Sequence, residues 1–321
     1  MKIYVTGSTG FIGSHLVEKL QDKHQLFCSD TDLRDHQTIK QELVEFSPDL
    51  IVHLAARTEV ADSFYEQITF SDINYTGTVN LIEAAREVPN LKNFVFASTM
   101  EVYGWQPVSD MIRDQIDIDS VSKGIQSGEI AFDESTPPNP NAPYAVAKYG
   151  CEKYLEYAHR SYGLPFTAIR QTNAYGRRDN NFFVTEQIIY QMLTDPDNIY
   201  LGYGEPWRNF LFIEDLLEAW ITVIENPDKC VGEIYCLGPN NAIRISDYVT
   251  MIADKIGWQG EVHWDTKPAR PGEIYLLNSR HDKITEQLGW KPHTDLSTGI
   301  DRTIEIWRDI VENHRDFRKS M

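Results

Sequence analysis

The stretch that most restricts this chain is its start. An apolar run, Ile3-Tyr4-Val5-Thr6, passes without a spacer into Gly7-Ser8-Thr9-Gly10-Phe11-Ile12-Gly13, and a helical pattern begins at Ser14. Glycines at this spacing let the backbone turn sharply and bring its amide groups close to a ligand, while the start of a helix adds a partial positive charge. Strand, glycine turn and helix in that order form a cradle for a pyrophosphate, and the unit belongs in a parallel sheet.

The same rhythm continues. Apolar runs at residues 26–28, 50–54 and 94–97 are each followed by helical patterns, at 38–46, 73–88 and 146–162. This alternation predicts an α/β fold, a doubly wound parallel sheet with ligands at the carboxyl ends of its strands. Leu50-Ile51-Val52-His53-Leu54 and Phe94-Val95-Phe96-Ala97 lack polar alternation, as strands covered on both faces do. From about Asn173 the rhythm breaks into loops, helices and isolated strands rich in Pro, Gly, Trp and Arg. Residues 1–172 are therefore expected to form a dinucleotide-binding domain, with a chain return around 210–240. Residues 173–321 are expected to form mainly a smaller C-terminal α+β domain that covers the substrate. The polar stretch 105–133 lies between two chemistry-bearing segments. It is expected as an extended surface insertion near the active site, serving as a lid, as an oligomer contact or as an inert excursion.

Charge excludes some partners. With 48 Asp and Glu against 30 Lys and Arg among 321 residues, the formal net charge is -18, a field that repels nucleic-acid backbones and anionic lipid surfaces. The expected partner is a small molecule, anionic where a few placed arginines override that field. No nucleic acid and no membrane are expected. No apolar run approaches the roughly 18 residues of a membrane span, and no leader pattern precedes the first strand, so a cytoplasmic protein is the expectation. Cys28, Cys151, Cys230 and Cys236 show no metal-like spacing and are read as free structural thiols, with no metal site.

Asp30 closes the second strand pattern, where a carboxylate accepts hydrogen bonds from an adenosine ribose and repels a 2′-phosphate, which favours NAD. Arg34, in the Asp32-Leu33-Arg34-Asp35 run that follows at once, is placed to attract such a phosphate and keeps NADP open. In Pro143-Tyr144-Ala145-Val146-Ala147-Lys148 the phenol and the ammonium are four residues apart and share a helix face. Cations beside a phenol favour the phenolate, so Tyr144 becomes usable as a base near neutral pH. Alone, Tyr-x-x-x-Lys more often marks a packed tyrosine and a solvated lysine. His53, at the end of a buried strand, reads as a core histidine. Trp207, Trp258, Trp264 and Trp290 read as packing, Trp207 with the option of stacking on a nucleobase.

Taken together, several motifs occur in a telling order. They are Thr6 with the G-x-x-G-x-x-G turn, His53-Leu54-Ala55-Ala56, Asn74 with Gly77-Thr78, Ser98-Thr99-Met100-Glu101-Val102-Tyr103-Gly104, and Tyr144 with Lys148. This order resembles the extended short-chain dehydrogenase/reductases, and within them the NAD-dependent epimerase/dehydratase family, over essentially the whole chain. The resemblance implies a Rossmann-type first domain, with cofactor contacts from Gly7, Thr9, Gly10, Phe11, Ile12, Gly13, Asp30, Asp32, Leu33, Leu54, Ala55, Ala56, Tyr144 and Lys148. It implies catalytic roles as well. Thr99 hydrogen-bonds the O4 of a nucleotide-linked sugar, Tyr144 removes the O4 proton, Lys148 lowers the tyrosine pKa and holds the nicotinamide ribose, and the C4 hydride moves to NAD.

Farther on, Arg170-Gln171-Thr172-Asn173-Ala174-Tyr175-Gly176, Gly204-Glu205-Pro206-Trp207-Arg208-Asn209-Phe210 and Arg270-Pro271-Gly272-Glu273 resemble the family's substrate motifs, with Asn209 in place of the usual Asp. They imply that Asn173 contacts the diphosphate of the substrate and that Arg208 and Arg270 clamp it. Thr58 and Met100 are further candidates for contact with the sugar. A homodimer built from the helices around 74–88 and 146–162 is also implied.

Glu101 decides which reaction is expected. A ketone at C4 acidifies the C5 proton, and a carboxylate beside it can remove that proton and drive loss of the C6 hydroxyl. Thr-x-Glu before Val-Tyr-Gly resembles nucleotide-sugar 4,6-dehydratases and uronic-acid decarboxylases, whereas 4-epimerases usually carry small or hydroxyl residues there. Met100 dissents, because several dehydratases place an acid at that position. GDP-mannose dehydratases have Ser there, and Arg177-Arg178 before Phe183-Val184-Thr185 also resembles that branch. The reading is therefore an NDP-hexose 4,6-dehydratase first and an NDP-hexose 4-epimerase second. A decarboxylase or a 4-ketosugar reductase follows, the latter suggested by the short loop after Asp30. A non-catalytic dinucleotide-binding sensor is the alternative outside enzymes, and it has no use for Thr99, Glu101, Tyr144 and Lys148 together.

Overall fold

The computed structural model describes residues 1–266 and 270–313. Six strands form its main sheet: β1 Lys2–Thr6, β2 Gln25–Ser29, β3 Leu50–His53, β4 Asn93–Thr99, β5 Phe166–Gln171 and β6 Glu233–Leu237. All pair in parallel, in the order β2-β1-β3-β4-β5-β6. The chain winds from β1 outward to β2 on one side and through β3 to β6 on the other. The switch between β1 and β3 opens a crevice at their carboxyl ends. The doubly wound, Rossmann-type sheet is thus present as expected.

The continuous apolar runs conceal a period of two. Ile3 and Val5, Leu50 and Val52, and Val95 and Ala97 enter one core, shared with helix α1 (Phe11–Leu20) and the helix Ile213–Glu225. Tyr4, Ile51, Phe94 and Phe96 enter the other, beneath the helices His36–Phe46, Gly77–Ala85 and Pro143–Tyr162. Both faces are dry, so each strand is apolar throughout.

Element edges depart from the periodic pattern for local reasons. The stretch 73–88 is not one regular helix: Gln67–Phe70, a π-helical turn Ser71–Thr76 and Gly77–Ala85 run end to end. The long helix starts earlier than its apolar pattern, at Pro143, whose fixed φ suits a first turn. It stops at Gly163, which has φ of 74°. No helix among the described residues is long and apolar enough to cross a membrane.

The second half of the chain returns to the sheet through the helix Ile213–Glu225 and β6, which pairs with β5 from Glu233 opposite Thr167 to Leu237 opposite Gln171. Around these lies a covering lobe of short pairings. Asn173–Tyr175 runs beside Phe210–Phe212, and Trp207–Arg208 lies between Ile243–Arg244 and Leu276–Leu277.

Residues 105–133 are not an extended excursion. They hold two helices, Pro107–Arg113 and Ile118–Gln126, whose Ile112, Val121 and Ile125 are buried in one cluster with Trp207, Leu276 and Leu277. Phe132 N donates to Asn278 O at 2.7 Å and Asn278 Nδ2 to Ile130 O at 2.9 Å, which stitches the segment to the covering lobe. Its many acidic and hydroxyl residues suggest a solvated loop, but Val108, Met111, Ile118, Ile130 and Phe132 also turn into that cluster.

Candidate active site

The first strand-to-helix turn has the geometry of an anion cradle. Gly7 has φ of 72° and lies against the end of β3, where a Cβ would stand 2.6 Å from Ala55 N. A Cβ on Gly13 would stand 2.0 Å from Gly7 O, so neither position tolerates a side chain. Gly10 precedes α1 without a side-chain cap, and the first turn of α1 has no acidic residue. The amides of Phe11 and Ile12 are thereby left for an incoming negative group. The residues after β3 form the rim: Leu54 N donates to Thr6 O at 3.1 Å and Ala55 N to Thr6 Oγ1 at 3.3 Å. These groups fit a dinucleotide pyrophosphate, which Gly7, Thr9, Gly10, Phe11, Ile12 and Gly13 would hold, with Leu54, Ala55 and Ala56 alongside.

Beyond the cradle, Asp30 stands exposed after β2, at the edge of the sheet. Arg34 is already engaged. Its Nη2 donates to Asp32 Oδ2 at 2.5 Å, its Nε to Asp32 Oδ1 at 2.9 Å, and its Nη1 lies 3.5 Å from Asp72 Oδ2. Hydrogen bonds from Arg34 hold the Asp32 carboxyl down at about 2. Two carboxylates on one guanidinium, with Asp30 beside them, favour a ribose diol over a 2′-phosphate. Leu33 is only 5% exposed and packs against Gly77, so its side chain belongs to the core and leaves only its backbone for the expected cofactor contact.

The reactive groups meet where β4 ends. Thr99 closes the strand, and its Oγ1 accepts from Glu101 N at 3.1 Å, capping the 3-10 turn Met100–Tyr103 that carries Glu101. Tyr144, Lys148 and Glu152 follow at intervals of four on the helix Pro143–Tyr162 and meet three successive residues of β4. The Tyr144 phenol comes close enough to the Thr99 hydroxyl to be lowered by it, Lys148 Nζ donates to Ala97 O at 2.8 Å, and Ser98 Oγ donates to Glu152 Oε1 at 2.5 Å.

Burial governs the ionisation of these groups. Desolvation, and after it the charge of Glu101, raises the Tyr144 phenol well above its ordinary value, against a smaller opposing effect of Thr99. Desolvation lowers Lys148 to about 8. Glu101 is raised by desolvation, with Arg208 and Arg270 pulling it back and Glu273 pushing it up. Lys148 Nζ, already donating to Ala97 O, lies 4.8 Å from the Phe96 ring centroid. The rise at Tyr144 keeps its phenol protonated at neutral pH. His53 is neutral, lowered to about 3 by burial, and is held by Thr6 Oγ1 at 2.7 Å and Thr78 Oγ1 at 2.8 Å, as a core histidine.

From the covering lobe, Arg208 and Arg270 come close enough to Glu101 for their charges to act on it. Arg270 is exposed. Arg208 is buried and arrives already paired, its Nη2 donating to Glu273 Oε1 at 3.0 Å. Asn173 Nδ2 donates to Asn209 O at 3.1 Å. Asn209 itself is fully buried; it accepts from Thr172 Oγ1 and donates to Asn278 Oδ1 and Ser279 O, both at 3.1 Å. A carboxylate could donate to neither, which accounts for Asn where the family motif has Asp.

Two further candidates lie at opposite extremes of exposure. Thr58 is exposed beyond the Leu54-Ala55-Ala56 rim, with its N–H bonded to Glu59 Oε2 at 3.1 Å. Met100, at 2% exposure, is packed with Val102, Ile112 and Leu276, so its thioether is core and its expected place at the sugar is corrected. Three residues that sequence reasoning leaves without a role take part in the site. Glu273, inside the Arg270 motif, neutralises Arg208. Asn74 holds the rim by accepting from Arg57 N at 2.8 Å and donating to Arg57 O at 2.9 Å. Glu152 extends the Tyr144 and Lys148 spacing by one more turn, and that spacing is the signal that points to it.

Known proteins share this architecture. The model of a family described as "NAD dependent epimerase/dehydratase family" matches residues 3–238. A putative UDP-glucose 4-epimerase of Methanocaldococcus jannaschii is 29% identical over 326 aligned residues, covering 94% of this chain and 97% of that one. The dTDP-D-glucose 4,6-dehydratase of Homo sapiens is 26% identical, covering 100% of this chain and 93% of that one. A solved structure of a dTDP-glucose 4,6-dehydratase from Streptomyces venezuelae with NAD and TYD bound is 25% identical, with a TM-score of 0.80, covering 96% of this chain and 97% of that one.

Proposed function

The chain belongs to the NAD dependent epimerase/dehydratase family, and on that premise we propose that it is an NDP-hexose 4,6-dehydratase. The observation that carries this reading is the Glu101 carboxyl. It is raised by desolvation, influences the Tyr144 phenol on one side and feels Arg208 and Arg270 on the other. A carboxyl with a raised pKa moves protons near neutral pH better than a solvated one.

In this mechanism Thr99 and Tyr144 bind the sugar O4, and Tyr144 accepts its proton. Lys148, fixed on Ala97 O, offers its remaining N–H groups to the nicotinamide ribose. Bound NAD supplies the electron-pair acceptor for C4 and the donor for C6, so no outside oxidant or reductant is consumed. Glu101 takes the C5 proton made acidic by the C4 ketone. The C5–H and C6–O bonds break, C5=C6 forms, and Glu101 passes its proton to the departing hydroxyl, since Met100 offers none. A solvent-derived proton then reaches C5 through Glu101.

One observation favours a 4-epimerase instead: the residue beside Glu101 is the buried Met100, which leaves the departing hydroxyl without an acid of its own. Incubation with UDP-, GDP-, CDP- and dTDP-sugars in D₂O, followed by product masses, separates the two. Loss of water with one deuterium gained is the expected result. An isomer of unchanged mass without deuterium replaces the dehydratase with the epimerase and reduces Glu101 to a binding contact. The same reading includes a homodimer through the outer faces of the two helices flanking Asn74 and Lys148. Exposed Tyr75, Val146 and Tyr157 support it, and sedimentation equilibrium checks it.

A further inference from the structure

We propose that Glu152 and Arg170 are positioning residues: a buried ion pair that sets Thr99 and Glu101 against Tyr144. The proposal rests on the active-site assignment above. Arg170 lies on β5 directly opposite Ser98 of β4. Its Nε donates to Glu152 Oε1 at 2.9 Å and its Nη2 to Glu152 Oε2 at 2.7 Å, a two-pronged contact. The third arm, Nη1, donates to Tyr103 OH at 3.0 Å. Glu152 Oε1 also accepts from Ser98 Oγ at 2.5 Å, and Tyr103 OH donates to Asp133 O at 2.6 Å.

The positions of these contacts along the chain matter. Ser98 immediately precedes Thr99, and Tyr103 closes the 3-10 turn that carries Glu101. Glu152 is one turn beyond Lys148 on the helix that carries Tyr144. The pair therefore grips the reactive segment on both sides and ties it to the helix of the base. Stability does not explain it. Both side chains are almost without exposure, 4% for Arg170 and none for Glu152, and buried pairs of this kind can often be replaced by apolar groups at no loss. Apolar groups cannot supply bonds of fixed direction to β4, β5, the helix and the turn at once.

Three variants test this: Glu152→Leu, the double change Glu152→Leu with Arg170→Met, and Tyr103→Phe, which leaves the Glu152–Arg170 contact in place and removes its bond to the turn, together with the contacts of that hydroxyl to Asp133 O and Cys236 Sγ. Glu152→Leu alone is expected to melt early. The double variant should regain the parental midpoint while kcat stays at least about tenfold down at unchanged KM, the loss expected for about one directed hydrogen bond. Tyr103→Phe should show a similar fall in kcat with NAD still bound. Recovery of kcat together with the melting midpoint in the double variant would make the pair purely structural and overturn the proposal. If the double variant does not fold, Tyr103→Phe decides: parental kcat overturns the proposal, and a tenfold loss at parental KM upholds it. A reading independent of turnover is the Tyr144 phenol titration in the NAD-bound protein, followed by ultraviolet difference absorbance against Tyr144→Phe. Tyr103→Phe should shift it, and an unshifted curve overturns the positioning role. A parent that converts no sugar nucleotide would sink the functional reading and leave this titration as the test of positioning.

Discussion

Two ion pairs of the same chemistry divide this site. At the reactive end of β4, Arg170 grips Glu152 with side-chain exposures of 4% and 0%; at the edge beyond β2, Arg34 grips Asp32 with exposures of 49% and 53%. Both contacts are two-pronged and of similar length. Hydration separates them. Taking one partner from the buried pair leaves a charge in a poorly polarisable interior, whereas water replaces a lost partner at the edge. The seam between β4 and the long helix is therefore preorganised and intolerant of change. The edge works through the sign of its charges, which favours a ribose diol over a phosphate without demanding one geometry.

The largest effect should come from the seam. Tyr144→Phe is expected to lower turnover by about a hundred- to ten-thousand-fold, the span of positioned acid-base catalysis, while NAD stays bound. Persistent turnover would remove the seam's claim to the chemistry. Next, Glu152→Leu by itself should lose about 3–5 kcal/mol of folding stability. Asp32→Asn should leave the urea midpoint unmoved within replicate error, and comparable losses in the two would break the contrast.

Lys148→Met sharpens it from another direction. Burial sets the folded pKa of Lys148 at about 8, below the 10.5 of an unburied lysine. Between those values the unfolded chain binds more protons than the folded one, so parental stability rises with pH across that window. Below pH 8 the variant should be more stable than the parent by about 3 kcal/mol, an advantage that fades toward pH 10.5, while turnover is lost. Melts at the two ends of the window check the sign. The smallest effect belongs to the edge. Because Asp32 and Asp72 already occupy Arg34, Arg34→Ala should change NAD affinity no more than a few-fold and should confer no NADP binding, as titration calorimetry would read. A large change in either would show that the edge depends on geometry after all.

Legibility follows the same division. A glycine turn between a strand and a helix depends on backbone sterics within a few residues, so the cradle from Gly7 to Gly13 is readable directly. Tyr144 and Lys148 share a face because a helix repeats every 3.6 residues, and the same rule extends to Glu152. Its partner Arg170 is not readable this way, because the two meet only after β5 has taken its place beside β4. The burial of Met100 depends on the helices of residues 105–133 folding over it. The quiet state of Arg34 depends on Asp72, from a helical stretch farther along the chain.

The sequence by itself therefore determined the parallel sheet, the cofactor cradle, the family, and which residues could carry a proton. Only the tertiary structure decided that Lys148 turns to a backbone carbonyl, that Arg208 arrives neutralised by Glu273, and that burial raises the Glu101 carboxyl. Periodicity acts within one element and is written in residue order. Interaction energies and pKa values depend on separations in space and on the surrounding dielectric, and residues distant in the chain set both.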